Sequence, residues 1–298
     1  MTDQQLSGFI AIVGRPNVGK STLINQLIGQ KVSIVCRKRQ TTRHNVLGIK
    51  TQDNQQMIFV DTPGIHQEQS SHRLNRFMNH QATQALEDVE AVVWMIDYQW
   101  RQADEVILEQ LQQNTRDCPL VLVINKIDQL ADKAEVLPLI EYCQSKMEFD
   151  QIIPISAHNT NSVKYLEQCL QSYLVEHPFF FPVEQSTDRS QRFQMAEMIR
   201  EQLFSMLHKE LPYGLTVYIE RLEKTDQLWS IGAVIWVADA NHKRMIIGKK
   251  GSKLKKVGQK ARQAMEKHFN QKIYLELWVK VQENWYNKDE WLNQIDQQ

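Results

Sequence analysis

The segment Gly14-Arg15-Pro16-Asn17-Val18-Gly19-Lys20-Ser21 fits G-x-x-x-x-G-K-[ST], with an apolar run before it and a helical pattern after it. Its glycines let backbone N–H groups turn inward around phosphate oxygens at a helix N-terminus, where the dipole favours anions. Lys20 has the reach for β- and γ-phosphates, and the Ser21 hydroxyl suits Mg²⁺. A chance match in a chain of this length is on the order of 1%. Asp61-Thr62-Pro63-Gly64 follows the apolar run Met57–Val60, so Asp61 can hold the metal through water while the Gly64 N–H meets the γ-phosphate.

Asn125-Lys126-Ile127-Asp128 follows Leu120–Ile124, at a strand end where open α/β sheets bind ligands. N-K-x-D reads guanine. The Asp128 carboxylate can accept from both N1–H and the exocyclic 2-amine, whereas adenine offers neither donor. A site built to bond a group strongly rejects analogues lacking it. Asn125 would brace the loop, and the Lys126 stem would lie against the ring. Ser156-Ala157-His158 is a weaker fifth element, with backbone N–H groups for the guanine oxygen. The set predicts a site for GTP and GDP with Mg²⁺.

These residues need strand ends to stand on. Gly8–Val13, Met57–Val60, Ala91–Ile96, Leu120–Ile124 and Ile152–Ile155 are short apolar runs. Helical patterns separate them: Thr22–Ile28, then Leu74, Phe77, Met78, Ala82 and Ala85, then Val106, Ile107 and Leu111. Apolar strands alternating with amphipathic helices predict an α/β domain with a mostly parallel sheet.

Around Glu176–Ser190 that alternation stops, at two prolines bracketing three phenylalanines. The aromatics are expected to pack on one domain. Beyond lie a helix at Phe193–Leu207 with a stripe of Met195, Ile199, Leu203 and Met206, strands at Thr216–Glu220 and Ser230–Val237, and a helix at His242–Ile246. Gly248-Lys249-Lys250-Gly251 follows, with Ser252 as the expected cap of the next helix. A last strand, Ile273–Val281, alternates strictly. The order is α-β-β-α-α-β, and G-x-x-G between two helices is the phosphate clamp of a KH domain.

Charge supports that reading. The chain of 298 residues balances 35 Lys+Arg against 35 Asp+Glu, yet residues 241–272 hold eleven basic side chains and one acidic, Glu266. Such an excess on a neutral protein calls for an anionic partner. The plain alternative, a solvated helix face, leaves the lack of acidic neighbours unaccounted for. Trp229, Trp236, Trp278 and Trp285 read as core or domain-interface residues, and His242 and His268 as surface or packing residues. Cys36, Cys118, Cys143 and Cys169 lack metal spacing and read as unpaired, buried thiols of a reduced cytosolic protein. The polar start has no secretory pattern, and no window is long and apolar enough to span a membrane.

The succession GRPNVGKS, QTTRH (Gln40–His44), DTPG, NKID and SA resembles the translation-factor-like GTPases of the TrmE-Era-EngA-like group. TDRSQRF (Thr187–Phe193), ELPYG (Glu210–Gly214), MIIGKKGSKLK (Met245–Lys255) and LELWVKV (Leu275–Val281) are similar to the type II KH domain of the Era family. The likeness covers nearly the whole chain. EngA has two G domains and TrmE a helical module, so neither fits. The resemblance implies a P-loop GTPase domain over residues 1–178, a linker over 179–190, and an α+β type II KH RNA-binding domain over 191–298.

The same resemblance carries further expectations. Ile65 stands where Ras-like proteins place the glutamine that orients water, so hydrolysis should be slow unless another group is recruited. The family pattern implies potassium assistance with Asn17 as a ligand. It also implies a second magnesium contact from Thr41 or Thr42, Thr42 being favoured as the second threonine of T-T-R. Lys20, Asn17 and Thr42 are thus the expected catalytic residues. Gly248, Lys249, Lys250, Gly251 and Lys253 are expected to meet RNA. Implied partners are the 3′ end of 16S ribosomal RNA and the 30S subunit, for a monomer in the cytoplasm with peripheral contact to the inner membrane. The rival readings are an RNA chaperone that only binds nucleotide and a G protein whose basic patch serves anionic lipid.

Overall fold

The structure, a computed structural model, describes residues 4–36, 42–43, 45–63, 85–86, 88–115, 118–206 and 214–283. They form two compact units that divide between Asp188 and Arg189, residues 34–36 counting with the second.

In the first unit, strands β1 (Leu6–Val13), β2 (Val46–Gln52), β3 (Gln55–Asp61), β4 (Ala91–Asp97), β5 (Leu120–Asn125) and β6 (Gln151–Pro154) lie in the order β2-β3-β1-β4-β5-β6. All neighbours run parallel except β2 and β3, and β7 (Val175–Glu176) adds a short antiparallel pairing to β1. Every residue of β4 and β5 is buried, the mark of central parallel strands covered on both faces. Alternate residues serve opposite layers. Ile10 and Ile12 pack with Leu23, Ile24 and Leu27 of helix α1 (Lys20–Ile28) and with Val163, Leu166 and Leu170 of the helix Thr160–Gln171 on that face. Ala11 and Val13 face Ile107 and Leu111 of α2 (Gln102–Asn114) and Cys143 of α3 (Leu137–Lys146). Each of these Ile, Leu and Val side chains contributes about 1.5–3 kcal/mol on burial.

Strand β2 was not among the expected runs. It is an edge strand whose buried Val46, Gly48 and Ile49 are broken by Leu47 and Lys50, so it shows no continuous apolar stretch. A tight turn at Asp53-Asn54, with Asp53 at φ 53°, returns it to β3. Helices α3 and α4 (Thr160–Gln171) were also missed, although Asn159 caps α4 by accepting from the backbone N–H groups of Asn161 and Ser162. The helical pattern from Leu74 to Ala82 lies outside the described residues.

The phenylalanine stretch packs on the first unit. Phe180 stacks on His177 at 4.2 Å and meets Phe9 edge-on at 4.9 Å. The buried Gln56 amide donates to Phe181 O (2.8 Å) and accepts from Phe181 N (3.0 Å).

In the second unit, α5 (Gln191–Met206) and α7 (Ser252–Phe269) pack on one face of a three-stranded sheet, β8 (Leu215–Lys224), β9 (Trp229–Val237) and β10 (Ile273–Val281). The order is β10-β9-β8, with β10 parallel and β8 antiparallel to β9. Helix α6 (Ala240–Ile247) precedes α7, completing α-β-β-α-α-β. Met195, Ile199 and Leu203 form the expected core stripe. Along β10, Ile273 and Val279 are buried and Leu275 and Leu277 partly so, whereas Val281 is exposed.

Three local expectations need correcting. Ser252 is not the cap of α7. Gly251, at φ 75°, occupies that position, and Ser252 already has helical angles. Trp278 is 44% exposed, its ring lying over Gly232 on the sheet face away from the helices. Trp229 packs on Phe269, Trp236 lies under the Lys280 ammonium, and Trp285 falls outside the described residues. The cysteines are unpaired, but only Cys143 is buried, the other three being partly exposed. Burial pushes the Cys143 thiol up to about 12 and Cys118 up to about 11.

Candidate functional site

The order β3-β1-β4 makes β1 the strand at which the chain switches sides, so a crevice opens beyond its carboxyl end. The sequence motifs sit at neighbouring strand ends. Gly14 follows β1, Asp61 ends β3, Asn125 ends β5 and Ile155-Ser156-Ala157 follows β6. Register makes them level: Ile12 pairs with Asp61, and Asp97 with Asn125.

The phosphate loop is shaped by close approach. A Cβ on Gly14, at φ 152°, would fall 2.3 Å from the Met95 carbonyl oxygen. A Cβ on Gly19, at φ 118°, would fall 2.3 Å from Asn125 Nδ2. Asn17 also has positive φ, at 65°. The buried Lys20 ammonium donates to Gly14 O (2.8 Å) and Arg15 O (3.3 Å), folding back over the loop. Burial lowers its pKa to about 8, with Asp61 opposing.

Ser21 Oγ donates to Asp61 Oδ2 (2.8 Å) and lies 3.2 Å from Thr42 Oγ1. Asp61 is fully buried, and its Oδ1 has no hydrogen-bond partner among the described residues. Burial raises its pKa, against the pull of the Lys20 charge. Two hydroxyls and a carboxylate with an unpartnered oxygen are the hard donor set that Mg²⁺ takes, so these residues fit the ion. Thr62 Oγ1 donates to Ile12 O (2.8 Å), pinning the end of β3 to β1. Thr41, Gly64 and Ile65 lie outside the described residues.

On the base side, the buried Asn125 amide donates to Val18 O (2.7 Å) and accepts from Ala157 N (2.8 Å), joining three of the motifs. Lys126, at φ 66°, donates from Nζ to Asn17 O (2.7 Å). Asp128 is exposed in the middle of the turn Ile127–Gln129, open to a ligand.

In the second unit, Gly248 (φ 72°), Lys250 (φ 51°) and Gly251 (φ 75°) turn the chain between α6 and α7 in the left-handed region that favours glycine. The four-residue loop opens on a groove of about 680 Å³ between α7 and β10. Leu254, Lys255, Gly258 and Arg262 line its helix side, and Tyr274 and Leu277 its strand side. Lys249, Lys250 and Lys253 are exposed beside it. Among the described residues no cluster of His, Cys, Asp and Glu could hold a metal; His242 pairs with Asp239 and His268 with Gln194.

Residues 9–126 match the family described as 50S ribosome-binding GTPase, and residues 210–286 match the KH domain. GTPase Era of Coxiella burnetii is 46% identical over 288 residues, 97% of each chain. The chain belongs to the Era family of GTPases. Era of Histophilus somni is 45% identical over 298 residues, 99% of this chain and 98% of its own. Two solved Era structures superpose with a TM-score of 0.92 at 39% identity, each over 98% of this chain. One is Era in complex with MgGDPNP and nucleotides 1506–1542 of 16S ribosomal RNA, covered over 98% of its length. The other is a variant of Aquifex aeolicus Era bound to GDP·AlF4⁻, covered over 99%. The Era-family architecture of a P-loop GTPase followed by a KH domain thus accounts for both units.

Some residues of this Era-family site were not singled out from sequence. Asp97 and Asp104 both pair with the Arg15 side chain, the second at 3.2 Å, so Arg15 presents its backbone rather than its guanidinium to the loop. Asp97 was legible as the acid next after the expected apolar run Ala91–Ile96. Gly258, Arg262 and Tyr274 were legible only in part. Lys255, Gly258 and Arg262 share one helix face at spacings of three and four, but the facing strand is a tertiary fact.

Proposed function

We propose that this GTPase couples its nucleotide state to the binding of single-stranded RNA, the 3′ end of 16S ribosomal RNA, during assembly of the 30S subunit. The observation that carries the reading is a nucleotide site built on neighbouring strand ends, in one chain with a KH loop that opens on a basic groove. The proposed parts are a G domain over residues 1–178, a linker over 179–190 and the KH domain over 191–298.

In the G domain, Gly14–Ser21 wrap the phosphates with backbone N–H groups, and Lys20 meets the β- and γ-phosphates. Ser21, Thr42 and Asp61 hold Mg²⁺, which would neutralise phosphate charge. Within the segment Asp61–Ile65, the Gly64 N–H meets the γ-phosphate. Asn125 locks the base loop, Lys126 and Ile127 flank the ring, Asp128 reads the purine edge, and Ser156 and Ala157 offer N–H groups to the guanine oxygen. An aliphatic Ile65 cannot polarise water, so turnover is slow. Potassium held by Asn17 would add charge opposite the breaking bond. In the KH domain, Gly248–Gly251 and Lys253 clamp the sugar-phosphate backbone while bases enter the groove. The chain acts as a monomer in the cytoplasm, with a peripheral inner-membrane contact that rests on family likeness alone. No helix among the described residues is long and apolar enough to cross a membrane.

The test is anisotropy of a labelled oligonucleotide with the 16S 3′-end sequence, titrated with protein loaded with GDP or a non-hydrolysed GTP analogue. Binding with affinity that differs between the two states is expected. Equal affinities would remove the coupling. Binding to anionic vesicles but not to RNA would favour the lipid reading.

A further inference from the structure

We infer that Asp97 is a positioning residue for the nucleotide, tying the phosphate loop to the guanine-reading loop through Arg15 and Lys126. The inference rests on the assignment of Gly14–Ser21 and Asn125–Asp128 to GTP. Asp97 ends β4, paired in register with Asn125, and β4 itself lies beside β1, which feeds the phosphate loop. One carboxylate oxygen, Oδ1, contacts the Arg15 guanidinium and accepts from Gln99 N (3.1 Å). The other, Oδ2, lies 3.7 Å from Lys126 Nζ. The same ammonium donates to Asn17 O, two residues beyond Arg15. Asp97, Arg15, Asn17 and Lys126 therefore close a ring that spans both loops.

Burial stiffens the Arg15–Asp97 side of the ring, while Lys126 is half-buried and Asn17 exposed. Arg15 is 6% and Asp97 4% exposed, and Asp104, at 0%, grips Arg15 Nε from the other side. A buried ion pair adds little to stability beyond what an apolar replacement of the same shape would, so its use lies in fixed geometry. The geometry held here is a costly one. Asn17 and Lys126 both occupy the left-handed backbone region without being glycine, and such conformations persist where the surroundings over-determine them. Lys126 is held by its head group, which bonds one strained residue to the other while Asp97 anchors it. Asp104 reaches Arg15 but makes no described contact with Lys126, so it serves the phosphate side alone.

The experiment uses the full chain and labelled GDP. Asp97→Asn keeps the shape and removes the charge. GDP should bind on the order of tenfold more weakly, the size of one lost charge-assisted hydrogen bond, mainly through faster release. Lys126→Met keeps the stem over the ring and removes the ammonium; it should also speed release while leaving the melting temperature of nucleotide-free protein in place. If Asp97 acts through Lys126, the double variant will be less impaired than the product of the single effects. Asp104→Asn combined with Lys126→Met should give the full product. Multiplicative effects for Asp97 and Lys126, or wild-type release from Lys126→Met, overturn the inference; the latter holds even if Asp97→Asn fails to fold. Failure of the wild type to prefer GDP over ADP would instead overturn the nucleotide assignment, and the inference with it.

Discussion

Asn125 Nδ2 donates a 2.7 Å hydrogen bond to the carbonyl oxygen of Val18, 107 positions earlier in the chain. The side chain that braces the guanine loop thereby sets the backbone of the phosphate loop, and it does so only because Gly19 next door has no Cβ.

Gly19→Ala should therefore act on both loops. Its Cβ would need the space of Asn125 Nδ2, at a left-handed φ that alanine resists. A strain of about 2–3 kcal/mol corresponds to GDP binding about a hundredfold weaker. Titration calorimetry would show this, and wild-type affinity would mean the loops move apart freely.

Asp128→Asn should weaken GTP and improve xanthosine triphosphate, because xanthine carries a carbonyl in place of the 2-amine and an Asn amide can face it. Competition between the two nucleotides against a fluorescent analogue measures the switch. Equal affinity of the wild type for ATP and GTP would remove the assignment of Asn125–Asp128.

Turnover should be slow and faster in potassium than in sodium at matched ionic strength. Asn17→Ala should erase that difference more than it weakens nucleotide binding. Phosphate release in the two salts is the measurement, and identical wild-type rates would point to an external activator.

Lys249→Asp with Lys250→Asp should abolish or severely weaken RNA binding and leave GTP affinity unchanged, since the phosphate loop is in the other unit. With the milder alanine pair, the log–log salt slope should become shallower by ~0.7 for each phosphate of the single strand that is no longer neutralised. Unchanged RNA affinity in the aspartate pair would reduce the basic stretch to a solvated face.

Cys143 should resist alkylation at pH 8 until the protein unfolds. Burial lifts its pKa to about 12, leaving about one thiolate in ten thousand. The raised pKa disfavours the thiolate only in the folded state, so the protection weakens as pH climbs toward that value. Mass spectrometry of partly labelled protein reads it directly, and rapid modification of Cys143 in folded protein would contradict the packing against α2 and β5.

What the amino-acid sequence determined by itself is local: the glycine spacing of Gly14–Ser21 and Gly248–Gly251, the apolar runs of β1, β4 and β5, and the purine reader Asn125–Asp128. These are legible because a turn, a helix start or a buried strand is specified by residues within a few positions of one another. Strand β2 escaped because an edge strand needs only half its side chains buried. Tertiary structure alone decided which way Arg15 points, that Asp97 joins it to Lys126, and which strand residues face Gly258 and Arg262 across the groove. Those pairings depend on strand order and register between segments tens of residues apart. No local pattern encodes them, because the free energy that selects one register is shared across the whole sheet and its covering helices.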